Sequence, residues 1–185
     1  MSAPTQPPSN GSKMQSVDNI VLTGFMGTGK TAVGRELARI LDMRLVDVDA
    51  EIEKQEKREI SRIFEESGEA YFRDVETSVI GRLSKKTRQI ISTGGGAVLR
   101  EENMANLREN GVIFCLWAGA GTILERTKGT GERPLLNVAD PLSRIKELLD
   151  FRSPYYERAG ILIDTEGKTP LQVAKEIAEM VRCRK

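Results

Sequence analysis

The sequence predicts an α/β fold built on a five-stranded parallel sheet, and three observations point to it. Five short apolar runs of β type recur along the chain, each followed by a segment with helical periodicity. Parallel strands need helical crossovers, and this alternation supplies them. The stretches at 24–31, 47–49 and 93–97, two of them glycine-rich, directly follow apolar runs, at the sheet edge where such folds bind ligands. The 185 residues suit one domain with a real core and are too few for two comfortable ones.

Taken in order, residues 1–18 (MSAPTQPPSNGSKMQSVD) have no apolar periodicity and read as a disordered leader ahead of a single domain spanning 19–185. They contain no apolar h-region and no arginine, which argues against a signal or transit peptide. NIVLTG (19–24) is the first strand. KTAVGRELARIL (30–41) is a helix with Val33, Leu37, Ile40 and Leu41 on one face. MRLVDV (43–48) is the second strand. A charged helical stretch from about 50 to 84 breaks near Gly68. RQIIST (88–93) is the third strand, ENMANLREN a helix, VIFCLW (112–117) the fourth strand and GTILERTK a helix. GTGERPLLNVAD (129–140) reads as a loop. PLSRIKELLDFRSPYYERA is helical, with Pro154 expected to bend or break it. ILIDT (161–165) is the fifth strand. The last helix opens on Thr169 as N-cap, Pro170 at the first position and Gln172 completing a capping box.

Composition removes several classes of function. No stretch approaches the roughly 20 apolar residues of a membrane span. The net charge of +1 gives no basic field to favour nucleic acid. The chain has no histidine, so proton transfer falls to Asp, Glu, Lys or Tyr. The two cysteines, Cys115 and Cys183, are expected to be buried structural thiols of a cytoplasmic protein.

GFMGTGKT, Gly24 to Thr31, fits G-x-x-x-x-G-K-[ST] between a strand and a helix, the context in which that motif binds a nucleoside triphosphate. Its glycines let backbone N–H groups curl toward phosphate oxygens, and the helix N-terminus adds a favourable field. Lys30 reaches the β- and γ-phosphates and Thr31 offers a hydroxyl to Mg²⁺. The guanine-reading N-K-x-D of a GTPase does not occur, and DTEG (164–167) is left as a strand-end turn. A small-molecule kinase is the leading class. Asp47 and Asp49, read at a strand end on one side of the chain, then have a purpose: one carboxylate can hold a water of the Mg²⁺ shell and the other can accept the acceptor's hydroxyl proton. Asp49 also stands where it can cap the following helix. STGGGAV (92–98) lets a ligand touch backbone directly. Arg73 and Glu76 sit at i, i+3, a spacing that on its own usually means a surface ion pair. Arg126, Lys128 and Arg133 lie in a Gly- and Pro-bearing loop, about 126–139, which can close over a triphosphate as a lid.

GFMGTGKT, LVDVD, FRDVE, TGGGAV, ERPLL and RSPYYERA, in this order and spacing from about Asn19 to Val181, resemble the shikimate kinase family. The resemblance implies a P-loop kinase fold, like that of nucleoside monophosphate kinases, with a mobile lid. It implies transfer of the γ-phosphoryl of ATP to the 3-hydroxyl of shikimate, giving shikimate 3-phosphate in chorismate biosynthesis, by a cytoplasmic monomer without nucleic-acid or membrane partners. On this pattern Gly27, Thr28, Gly29, Lys30, Thr31 and Ala32 would surround the phosphates. Asp49 would bind the reacting hydroxyl and act as base, and Asp47 would share the Mg²⁺ shell with Thr31. Arg73 and Arg152 would clamp the carboxylate, since guanidinium matches its geometry. Gly94, Gly95 and Gly96 would touch the ring, and Glu76 would orient Arg73. Arg133 would arrive with the lid, and Arg126 with Pro170 would sandwich adenine. A gluconate- or nucleotide-type kinase would share the first glycine loop but does not account for Arg73, the three glycines and Arg152 together.

Overall fold

Strand β1 (Asn19–Gly24) is buried along its whole length, as a strand covered on both faces must be. The structure is a computed structural model that describes residues 18–128 and 138–183. After β1 come α1 (Lys30–Leu41), β2 (Arg44–Asp47), α2 (Val48–Glu56), α3 (Ile60–Ser84) and β3 (Gln89–Ser92). A 3₁₀ turn (Ala97–Leu99), α4 (Glu101–Glu109), β4 (Gly111–Trp117), α5 (Ala120–Thr127), α6 (Pro141–Ala159), β5 (Ile161–Asp164) and α7 (Pro170–Arg182) complete it. The five strands form one sheet in the order β2-β3-β1-β4-β5, and every pairing is parallel.

The alternation of β1 divides the core into two layers. Ile20 and Leu22 face α1 and α7, packing with Val33, Leu37, Val173 and Ile177. Val21, with Ile91 and Ile113, faces α3 to α6, meeting Phe72, Val79, Leu107, Ile123 and Ile145. Each such side chain contributes about 1.5–3 kcal/mol by leaving water. Truncating a fully buried one such as Leu37 to Ala costs about 2–5 kcal/mol.

Register positions the site. Asp47 pairs with Ser92, Ser92 with Leu22, Gly24 with Leu116, and Trp117 with Asp164. The carboxyl ends of all five strands therefore finish along one edge, and the loops that follow them meet there.

Several expectations change in detail. β2 stops at Asp47 and α2 starts at Val48, so Asp49 lies in the first helical turn and not on a strand face beside Asp47. The cause is local: Asp47 Oδ1 accepts the backbone N–H groups of Asp49 at 3.0 Å and Ala50 at 3.3 Å, which makes Asp47, not Asp49, the N-cap. Gly68 does break α3, with φ 82° and ψ 169° inside it. Pro154 does not end α6, which continues to Ala159. Cys115 is buried but Cys183 is exposed, because it falls past the apolar stripe of α7. Asp18, counted with the leader, joins the domain by accepting the Arg88 N–H at 2.6 Å. The rest of the leader, and residues 129–137 of the lid with Arg133, lie outside the described residues.

Candidate active site

The first glycine loop turns sharply because three of its glycines take positive φ: Gly24 at 133°, Gly27 at 76° and Gly29 at 96°. At Gly24 a Cβ would also overlap the Leu116 carbonyl of the neighbouring strand. Gly29 is the N-cap of α1, with φ 96°, and brings no side-chain cap, so the helix opens directly on the glycine loop. Thr28 closes the turn by donating its hydroxyl to Phe25 O at 2.8 Å. Lys30 Nζ lies over the loop, donating to Gly24 O at 2.8 Å and Phe25 O at 2.9 Å.

A cavity of about 560 Å³ opens in front of this loop. Gly27, Thr28, Gly29, Lys30, Thr31 and Ala32 line it, together with Asp47, Asp49, Gly94, Gly95, Arg126 and Pro170. It thus gathers most of the predicted residues. Arg73, Glu76, Gly96 and Arg152 lie beyond its lining, in a second cluster that joins the first through Asp49 and the second glycine loop.

Glu76 is the centre of that cluster. It is fully buried, and its Oε2 accepts from Arg73 Nη1 at 2.8 Å. Burial raises its pKa, with Arg73, Arg100 and Arg152 pulling the other way. A surface ion pair, the ordinary meaning of the i, i+3 spacing, is therefore excluded here. Arg73 is also held by Glu69 at 3.2 Å and lies over the Phe72 ring at 5.1 Å. Arg152 is buried, sits over the Phe25 ring at 5.7 Å, and leaves its Nε without a partner.

Gly94–Gly96 threads between these groups. A Cβ on Gly94 would lie 2.9 Å from Asp49 Oδ1 and 3.2 Å from Glu76 Oε1. A Cβ on Gly96 would lie 2.5 Å from Arg73 Nη2. None of the three has positive φ. Gly94 and Gly96 are pressed by charged side chains of the protein itself, and Gly95 by the backbone of the first glycine loop.

Asp49 is the most perturbed acid of the cavity. Its pKa is pushed up to about 6, first by burial and then by the nearby charges of Asp47 and Glu76, with Lys30 opposing. Its Oδ1 is buried with no hydrogen-bond partner. A buried, unpaired acceptor beside a phosphate loop is what a hydroxyl-activating base requires. Asp47 differs, since its Oδ1 is used by the helix N-terminus. The donor set suits Mg²⁺: the Thr31 hydroxyl and the Asp47 carboxylate are hard oxygens on one cavity. Among the described residues no group of three or more His, Cys, Asp or Glu forms a cage. Mg²⁺ needs none, because it keeps waters and takes phosphate oxygens with one or two protein ligands.

At the far end of the cavity Arg126 donates to Thr165 Oγ1 at 2.9 Å and Thr165 O at 2.8 Å. Its donor edge is thereby fixed, and Pro170, the first residue of α7, lines the same cavity. Thr165 was not singled out from the sequence, nor was Lys168, which lines the same end and pairs with Glu176 at 2.7 Å. Both follow β5, and only strand order reveals that this turn reaches the nucleotide end. Tyr156, also missed, donates its phenol to Gly95 O at 2.8 Å. Its spacing of four residues from Arg152, on one helix face, was the available signal.

The profile of the shikimate kinase family matches residues 26–182. The chain is 56% identical to the shikimate kinase of Thermodesulfovibrio yellowstonii over 159 residues, 86% of this chain and 92% of that one. Among solved structures it is similar to the shikimate kinase of Acinetobacter baumannii in complex with shikimate, at 35% identity and a TM-score of 0.87, covering 93% of this chain and 97% of that one. It is also similar to the Aquifex aeolicus shikimate kinase, at 40% identity and a TM-score of 0.78, covering 89% and 96% of the two chains. A family match over residues 26–182 and 56% identity across 86% of the chain show that this chain belongs to the shikimate kinase family.

Proposed function

We propose that this chain transfers the γ-phosphoryl group of ATP to the 3-hydroxyl of shikimate, with Asp49 as the base. The observation that carries the reading is the continuity between the two clusters: Asp49, Gly94, Glu76 and Arg73 run without a break from the phosphate loop to the partly buried Arg73 guanidinium. An acceptor with a carboxylate at one end and a hydroxyl at the other fits that span. Arg73 and Arg152 take the carboxylate, and Glu76 keeps Arg73 aligned. The acceptor hydroxyl lies against Asp49 Oδ1. As the new O–P bond forms and the bond to the ADP oxygen breaks, the hydroxyl proton passes to Asp49. A carboxylate with a pKa near 6 is a stronger base than an ordinary one and is still ionised at neutral pH.

The N–H groups of the first glycine loop and Lys30 hold the phosphates in line, and Arg126 with Pro170 holds the base. Thr31 and Asp47 would hold Mg²⁺, which would neutralise phosphate charge there. Arg133, outside the described residues, is the further cation assigned to the phosphates. The enzyme works as a cytoplasmic monomer, a setting that suits its two free thiols. Among the described residues no helix is long and apolar enough to cross a membrane.

The test is an ADP-release assay on purified protein with shikimate, gluconate and nucleoside monophosphates in turn. Shikimate alone should support turnover, and activity only with another acceptor would overturn the reading.

A further inference from the structure

Tyr156 is fully buried in α6, yet it keeps a polar contact: its phenol O–H reaches across to the second glycine loop and donates to Gly95 O at 2.8 Å. The loop at that point has little room. A Cβ on Gly95 would lie 3.2 Å from Gly24 O and 3.6 Å from Met26 N, so the peptide is pressed between α6 and the phosphate loop. Its neighbours on either side bear on the acceptor site, Gly94 against Asp49 and Glu76, and Gly96 against Arg73. One turn before Tyr156 on the same helix stands Arg152, whose guanidinium lies over Phe25 of the phosphate loop.

We infer that Tyr156 is a positioning residue for acceptor binding: by holding the Gly95 carbonyl it fixes the spacing between the glycine loop and Arg152. The inference rests on the shikimate kinase reading above. Burial raises the phenol pKa to about 12, with the Arg152 charge opposing, so Tyr156 remains a donor across the working range of pH. A buried carbonyl that loses its donor must find another, and the glycine backbone has the freedom to move toward one. That movement would carry Gly94 and Gly96 away from their places against Asp49 and Arg73. The P-loop does not depend on this bond, because its own turn is closed by Thr28 and its three positive-φ glycines.

The test is Tyr156→Phe, which keeps the ring and deletes only the hydroxyl. Steady-state kinetics are measured against each substrate, together with shikimate binding without nucleotide and the Tm. KM for shikimate and its dissociation constant should both rise about five- to tenfold, while KM for ATP stays within twofold. A merely structural tyrosine would lower the Tm and the active fraction and leave both KM values alone, and that result overturns the inference. Equal increases in both KM values overturn it too, since they would place the effect on the phosphate loop. A wild-type protein inactive with shikimate would defeat the reading of the function; an active wild type with an unchanged variant would defeat only the role of Tyr156.

Discussion

The two glycine loops do opposite things with the same residue. In Gly24–Thr31, glycine is needed for its backbone: φ is positive at three positions, which lets the chain turn sharply into α1. In Gly94–Gly96 no φ is positive, and glycine is needed for what it lacks, because Asp49, Glu76 and Arg73 crowd the Cβ space of Gly94 and Gly96 and the phosphate-loop backbone that of Gly95. The first loop is built by local conformation. The second is built by residues from α2 and α3, which are distant in sequence. A substitution in the first should therefore damage folding or phosphate binding, whereas one in the second should damage the acceptor site.

The largest effect should come from Lys30→Ala. It removes the positive charge over the phosphate loop, and turnover should fall on the order of 10³-fold with the fold intact by circular dichroism. Near-normal turnover would remove the phosphate role from the first loop.

Asp49→Asn keeps the shape and loses the base. Turnover should fall on the order of 10²–10⁴-fold while nucleotide affinity barely moves. Asp47→Asn should instead raise the Mg²⁺ requirement, with partial rescue at high Mg²⁺ in a titration of turnover. Rescue of the Asp49 variant and not the Asp47 variant would reverse the two roles.

The glycines themselves give the most direct contrast. Gly24→Ala meets both a φ of 133° and the Leu116 carbonyl, and should cost on the order of 3 kcal/mol in denaturant unfolding. Gly96→Ala has an ordinary φ and meets the Arg73 guanidinium, so it should cost less stability than Gly24→Ala, the loss coming from shifting Arg73 against the buried Glu76. Displacing Arg73 should raise KM for shikimate on the order of tenfold. Equal destabilisation by the two would erase the distinction drawn between the loops.

The pH dependence follows from Asp49. Its pKa in the folded protein is about 6 against an ordinary 3.8, so kcat/KM for shikimate should fall about tenfold per pH unit below 6 as the base protonates. The stability effect has the opposite sign. Between pH 4 and 6 the native state binds a proton that the unfolded state does not, so this group's contribution improves as pH falls through that window, by on the order of 3 kcal/mol. Above pH 6 the ionised carboxylate is a liability. Asp49→Asn should accordingly raise the Tm at pH 7 while losing activity, and a lower Tm would mean that burial of the carboxylate is not costly.

The smallest effect concerns the base. Arg126→Lys gives up the two-point grip on Thr165 and the flat face, and KM for ATP should rise about three- to tenfold with kcat little changed. A fall in kcat with KM unchanged would place Arg126 with the phosphates.

The sequence by itself determined the alternation of strands and helices, the first glycine loop, the capping box of α7 and the family. These are local or periodic signals: φ preferences of glycine, 3.6-residue spacing, and a cap and its partner three residues apart. It also picked out Asp49, Arg73, Glu76 and Arg152 as residues of the site, though spacing alone made Arg73–Glu76 a surface pair. Tertiary structure decided what those residues are. Glu76 became a buried anchor because α3 packs it beside the second glycine loop, and Asp49 became an acid of raised pKa because burial and neighbouring carboxylates converge on it. Asp47 took the helix N-terminus that Asp49 was in reach of taking. Tyr156 entered the site from α6 and Thr165 from the turn after β5, late in the chain. Burial and charge are sums over neighbours in space, and strand order β2-β3-β1-β4-β5 sets who those neighbours are.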